Sequence, residues 1–400
     1  MIAVEKNLII RNNKKIVMLV ADGLGGIPYI DNKTELEIAK KENIDKLAKK
    51  SLLGLIEPVS PGISPGSGPA HLSLFGYNPT EFEIKRGILE ALGIGIELEE
   101  NDIAVRGNFA TIENNKIIDR RAGRISTEES HKLIDLLSQN IKKIEDVEII
   151  WGKGVEHRFV IILRGEGLGD NLNDTDPQKE NLEPLKLEAT DEQSKKTARI
   201  LNKIIDISRE LLKNEKKANY ILLRGISKKP KIPNFQKRYK MKALALANYP
   251  MYKGLCKLIG METFELGMEF ENLIKFYEEH FENYDFIYIH YKWTDKKGED
   301  GDFYGKVKEI EKLDSYIPRI IEKNPDVFVF TGDHSTPSAL KGHSWHPVPI
   351  LIYSKEGSFY DENAKFTERD CLRGYLGIRK SYEVFQIILA LANKIEKYGA

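Results

Sequence analysis

The chain has 400 residues, 41% hydrophobic and 30% charged, with 61 Lys and Arg against 61 Asp and Glu. That balance excludes a global pull toward nucleic acid or an anionic membrane, so any anion site must come from a local cluster. The length calls for two domains of about 100–200 residues each.

Cys256 and Cys371 are the only cysteines, which gives no disulfide framework and suits a reducing cytoplasm. The most apolar runs, Ile16–Ala21 and Ile387–Ala392, are six residues each, against the ~20 that span a bilayer. Neither a membrane segment nor a secretory signal is expected, since Lys14 and Lys15 after the polar leader over residues 1–14 lead into an apolar stretch that is too short.

Ile16–Ala21 reads as a buried strand that ends in Asp22-Gly23 and a glycine-rich loop. The carboxyl end of such a strand is where α/β sheets place their chemistry, so Asp22 is a candidate metal ligand as well as a simple turn residue. Helical spacing follows over Thr34–Ala39 and Asn43–Ala48, with Asn43 as the expected N-cap, and Ser51–Val59 returns as a strand. In Pro65-Gly66-Ser67-Gly68-Pro69 a helix is expected to start near Pro69. Ser67 then lies at or just before a helix N-terminus, as a cap or as a hydroxyl where an anion is favoured.

From about residue 78 to 245 the chain mixes strands and helices and is rich in Arg and Lys. Ile103–Thr111 reads as a strand, Asp119–Arg124 holds Arg120, Arg121 and Arg124, and His157-Arg158 opens another apolar strand. Guanidinium groups present paired donors that suit phosphate and carboxylate. Lys195–Asn214 is an amphipathic helix, and Asn219–Gly225 is a strand carrying Arg224.

The last third alternates strand and helix. Leu244–Ala247 and Phe286–Tyr291 read as strands, Leu273–Glu282 and Tyr304–Ile320 as helices, and Lys292–Asp302 as an acidic loop holding Asp295 and Glu299. Val327–Phe330 is a strand followed by Asp333-His334, with His343 nine residues on. Carboxylate and neutral imidazole are the usual protein ligands of divalent cations. One ion could take Asp22, Ser67, Asp333 and His334, and a second Asp295, Glu299 and His343. The residues alone thus suggest metal-assisted phosphoryl transfer through a serine, with arginines holding an anionic substrate.

The order of Asp22-Gly, Pro65-Gly-Ser67, Arg106-Gly-Asn108, Asp119-Arg-Arg-Ala-Gly-Arg124, His157-Arg158, Asp174-Thr-Asp-Pro177, Arg224-Gly225, Thr331-Gly-Asp-His334 and His343 resembles one family over about residues 15–395. It is that of the archaeal-type cofactor-independent phosphoglycerate mutases of the alkaline phosphatase superfamily. The resemblance implies an α/β fold with an alkaline-phosphatase-like, mostly parallel sheet flanked by helices. It also implies a discontinuous metal-binding domain over residues 1–77 and 246–400, with a smaller α/β (α+β) phosphotransferase domain inserted at 78–245.

It further implies interconversion of 3- and 2-phosphoglycerate in the cytoplasm through a phosphoserine at Ser67. Two divalent ions are expected, Mn²⁺ first, with Mg²⁺, Co²⁺ and Zn²⁺ as alternatives, and no need for 2,3-bisphosphoglycerate. Arg106, Arg120, Arg121, Arg124, His157, Arg158 and Arg224 are the implied substrate contacts, with Lys253 from the phosphatase part.

The chain departs from the family pattern at Glu299, where a His is usual, and at Gly68-Pro69, where Asp-Thr is usual. These departures keep two alternatives open: another metal-dependent phosphomutase or phosphatase of the superfamily, and a phosphoglycerate-binding homologue with impaired catalysis.

Overall fold

The computed structural model describes residues 8–399, so the first half of the polar leader, residues 1–7, lies outside the described residues. The chain divides into two compact units. The larger takes in the chain up to Glu83, Ile232–Tyr249 and the chain from Cys256 onward; the smaller takes in Ile84–Lys231 and Pro250–Leu255.

The larger unit is built on an eight-stranded sheet. Its order is Glu262–Thr263, Ala243–Leu246, Phe286–Tyr291, Ile16–Ala21, Val327–Thr331, Val348–Ser354, Leu52–Glu57 and Gly377–Lys380. Every neighbouring pair is parallel except the two that involve Val348–Ser354. The three central strands are buried along their whole length, which is why they read as unbroken apolar runs rather than alternating ones. Their register brings the carboxyl ends level: Ala21 lies beside Tyr291, and Val20 beside Thr331. Asp22, Lys292 and Gly332-Asp333 therefore leave the sheet side by side.

Several local expectations give way to tertiary context. Thr34 caps the helix Glu35–Ile38 through a reciprocal pair with Glu37. Asn43 is no cap; it sits inside the helix Glu42–Ala48 and bonds Asp314. The stretch after Tyr291 is a short helix, Trp293–Glu299, not a loop. The helix expected over Tyr304–Ile320 is two, Phe303–Asp314 and Ile317–Glu322.

The chain re-enters the larger unit at Ile232, earlier than residue 245, because Phe235 and Tyr239 pack on Phe75, Phe286 and Phe385. Lys253, expected in the phosphatase part, belongs with the smaller unit instead. There Gly93 and Gly254 let two helices touch backbone to backbone: a Cβ on either would meet the carbonyl of Pro250 or Leu89 at 2.1 Å.

The smaller unit has a six-stranded antiparallel sheet around the long strand Ile103–Glu113, which Arg158–Arg164 and Tyr220–Lys228 flank. One face is an apolar core of Val105, Phe109, Phe159 and Ile161 under the helices Thr127–Asn140 and Lys195–Leu212. The other face presents arginine.

Candidate active site

In the larger unit the side chains at the sheet's carboxyl edge form one buried charged cluster. Asp22, Asp295, Asp333 and His334 are all essentially inaccessible to solvent. His334 Nε2 lies 3.3 Å from Asp22 Oδ1, 3.2 Å from Asp333 Oδ2 and 3.4 Å from Ser67 Oγ. Its other nitrogen, Nδ1, is 3.0 Å from Thr336 Oγ1, which is itself 2.7 Å from Asp295 Oδ1. A carboxylate only accepts, so the threonine hydroxyl donates to Asp295 and must accept from His334 Nδ1–H. That chain leaves the Nε2 lone pair facing Asp22, Asp333 and Ser67.

His343 stacks on His334 with ring centroids 3.6 Å apart. Its Nδ1 lies 2.9 Å from the Pro65 carbonyl, to which it can only donate, so its free Nε2 faces Asp295 Oδ1 at 3.7 Å and Glu299 Oε1 at 3.9 Å. Glu299 is the outlier of the expected ligands, with half its side chain in solvent.

Ser67 is the first residue of the helix Ser67–Leu74, and Gly66 is its cap. The serine hydroxyl is therefore not used to close the helix end. His71, one turn on, lies 2.9 Å from the Ser67 carbonyl through Nδ1 and 3.3 Å from Asp333. Burial, then the charge of His290, pushes its pKa down to about 3, so it is neutral.

Three contributors escaped the sequence reading. Lys292 Nζ bridges Asp22 Oδ2 at 2.9 Å and Asp295 Oδ2 at 2.6 Å. It holds one oxygen of each carboxylate and turns the other toward the imidazoles. His290 Nε2 is 3.1 Å from Asp22 Oδ2, and Thr336 is described above. Gly23 is required here, at φ 63°, because a Cβ would meet Thr336 Oγ1 and Asp295 Oδ1 inside 2.8 Å. Burial acts to raise the Asp22 pKa, but the Lys292 charge and the two histidines outweigh it and hold it well below the usual carboxylate range. Asp333 goes the other way, to about 7, through burial and the adjacent Asp22 charge.

In the smaller unit, cross-strand register sets Arg106 opposite Arg224, and Asn108 opposite Arg158, on one face. Arg120 is committed: it makes a two-pronged pair with Asp176 at 2.8 and 2.7 Å, and Asp176 also lies 3.5 Å from Arg224. The Asp174-Thr-Asp stretch thereby explains itself, since Asp174 also receives the Gly225 amide. Arg121 and Arg124 sit on a turn that Asp119 closes through the Arg121 and Gly123 amides. Their charges, after burial and those of Arg158 and Arg106, help push the His157 pKa down to about 4. Lys253 is buried.

A family model described as 2,3-bisphosphoglycerate-independent phosphoglycerate mutase matches residues 48–218. A probable 2,3-bisphosphoglycerate-independent phosphoglycerate mutase of Thermotoga petrophila is 55% identical over 393 residues, 98% of each chain. The chain belongs to this mutase family. A counterpart of the same description from Thermus thermophilus is 49% identical over 99% of this chain and 98% of its own.

Among solved structures, a Pyrococcus horikoshii protein matches with a TM-score of 0.83 at 30% identity, over 97% of this chain and all of its own. The cofactor-independent phosphoglycerate mutase of Thermoplasma acidophilum matches with a TM-score of 0.73 at 31% identity, over 95% and 100%.

Phosphoglycerate mutases are isomerases, and this family depends on metal. The cluster fits a divalent cation. Asp22, Asp333 and His334 each offer a ligand atom, all within 4.8 Å of one another, and so do Asp295, His334 and His343. Asp333 Oδ2 is buried and accepts no hydrogen bond among the described residues. Three buried carboxylates against a single ammonium leave a negative surplus that a cation removes.

Proposed function

We propose that the protein interconverts 3- and 2-phosphoglycerate through a phosphoserine at Ser67, without 2,3-bisphosphoglycerate, in the glycolysis and gluconeogenesis of the cytoplasm. The observation that carries this is the Ser67 hydroxyl, left unused by its helix and aimed at the free face of His334 beside two carboxylates. Asp22, Asp333 and His334 with Ser67 would hold one ion, and Asp295 and His343, with Glu299 at the rim, the other. Oxygen and imidazole donors with a third carboxylate favour Mn²⁺. When bound there, such ions lower the serine pKa and offset charge on the phosphoryl oxygens.

The chain's own residues do the remainder. Lys292 bridges and orients the two carboxylates, and Thr336 fixes the His334 tautomer. Ser67 Oγ gives up its proton and forms the new bond to phosphorus as the bond to the O3 oxygen of glycerate breaks and O3 takes up a proton. On the return leg the O2 hydroxyl loses its proton as it bonds to phosphorus, and Ser67 Oγ leaves and is reprotonated. No water and no second phosphate donor enter this balance. Arg106, Arg158 and Arg224, with Arg121, Arg124, His157 and Lys253, hold the anionic body of the substrate, while Arg120 acts through Asp176.

A phosphorus NMR time course of Mn²⁺-loaded protein with 3-phosphoglycerate tests the reading. A 2-phosphoglycerate signal without added bisphosphate is expected. Accumulating inorganic phosphate would identify a phosphatase, and an unchanged spectrum would point to a binding role.

A further inference from the structure

The arginine face of the smaller unit contains a carboxylate that no part of the reaction uses. Glu90 lies in the helix Arg86–Gly93, which packs against the strands that carry the arginines. A Cβ on Gly87 would meet the Ala104 and Gly225 carbonyls at 2.6 Å, so this helix lies directly on the sheet backbone. Its first residue is Arg86, whose amide and Cβ lie within 3.5 Å of a Cβ placed on Gly225, next to Arg224. Glu90 is one turn on, so its side chain shares a helix face with Arg86.

Like charges directly opposite on neighbouring strands destabilise a sheet, and Arg106 faces Arg224 in this way. Glu90 Oε2 is 3.9 Å from Arg106 Nε, close enough to attract but too far to bond. Both side chains are largely buried, and Arg106 Nε and Arg158 Nε find no hydrogen-bond acceptor among the described residues. Arg106 is pushed down to about 10 by burial and by the charges of Arg158, Arg86 and Arg224, and Glu90 works against that push. Arg86 is itself exposed, so a ligand can reach it.

We infer that Arg86 is a further guanidinium of the anion site and that Glu90 is its charge-setting residue, selecting phosphoglycerate over more highly charged bisphosphates. Arg86, Arg106, Arg158 and Arg224 surround Glu90, the one carboxylate among them, which lowers the local positive charge by one. Phosphoglycerate brings one carboxylate and a phosphate of about −1.5 to −2. A bisphosphate brings a second phosphate, which meets Glu90 as a like charge in a partly dry site, a juxtaposition that opposes binding.

This inference rests on the phosphoglycerate reading above, and titration calorimetry in EDTA separates the two. The full-length protein is titrated with 3-phosphoglycerate and with 2,3-bisphosphoglycerate, so metal loading plays no part. Glu90→Gln is expected to bind both more tightly, with the larger gain, about tenfold, for the bisphosphate. Arg86→Gln is expected to weaken 3-phosphoglycerate by about tenfold with an unchanged melting temperature.

If Glu90→Gln binds the bisphosphate no better than the unchanged protein does, the selectivity role is overturned. If Arg86→Gln binds 3-phosphoglycerate as well as the unchanged protein, Arg86 leaves the site. If the unchanged protein binds neither ligand in EDTA, the arginine face holds no anion by itself and the roles of Arg86 and Glu90 are overturned. The phosphoglycerate reading stands or falls separately on the phosphorus NMR time course of the Mn²⁺-loaded protein.

Discussion

The two units solve opposite electrostatic problems. The larger one buries an excess of carboxylate at the end of a parallel sheet; the smaller one gathers guanidinium groups on one face of an antiparallel sheet. In the first, specific neighbours from Lys292 to Thr336 orient the ligand side chains, and the ligand atoms are aimed before any ion arrives. In the second, Arg120 is tied to Asp176, while buried nitrogens of Arg106 and Arg158 have no acceptor among the described residues. The contrast suits the two partners. A cation needs rigid, converging donors, whereas an organic anion brings its own acceptors and needs donors free to meet them.

The sharpest break in this contrast is Ser67→Ala, which removes one hydroxyl and no charge. Isomerisation is expected to vanish while metal content stays near that of the unchanged protein, measured by coupled assay and elemental analysis. Next is Thr336→Val, which frees the His334 tautomer. A loss of about 10- to 100-fold in Mn²⁺ affinity at one of the two sites is expected by calorimetry; unchanged affinity would mean that the threonine does not orient the ring.

On the arginine side, Asp176→Asn should cost about 3 kcal/mol, since it strands Arg120 beside a neutral partner. Burial raises the Asp176 pKa, but the Arg120 bond prevails and depresses it. Its stabilisation is therefore whole above the unfolded value of 3.8 and fades as pH falls below it, which denaturant melts of the two proteins between pH 7 and about 3 would compare. The smallest effect is expected from Glu299→His. The residue is half exposed and 3.9 Å from His343, so activity should change by no more than about threefold. A large gain would instead mark the native site as impaired.

Much of the first site was legible because strand ends announce themselves. Asp22, Asp295 and Asp333-His334 each follow a run too apolar to be anything but a buried strand. Lys292 follows such a run as well, yet a lysine at a strand end reads as solvated surface until register shows two carboxylates on either side of it. Thr336 and His290 were hidden for the same reason: their roles lie in tautomer and orientation, which spacing does not encode.

In the smaller unit, Arg106, Arg158 and Arg224 stood out as arginines within apolar strands. Arg86 did not, because a helix outside any arginine-rich run brings it to the sheet. The re-entry at Ile232 was missed because aromatic packing by Phe235 and Tyr239, not a composition shift, sets it.

The most direct test of the central claim is peptide mapping of Mn²⁺-loaded protein quenched with acid during turnover of 3-phosphoglycerate. Phosphate on the peptide holding Ser67, lost when substrate is exhausted and absent from Ser67→Ala, is the expected result. Formation of 2-phosphoglycerate with no phosphorylated Ser67 at any time point would contradict the account.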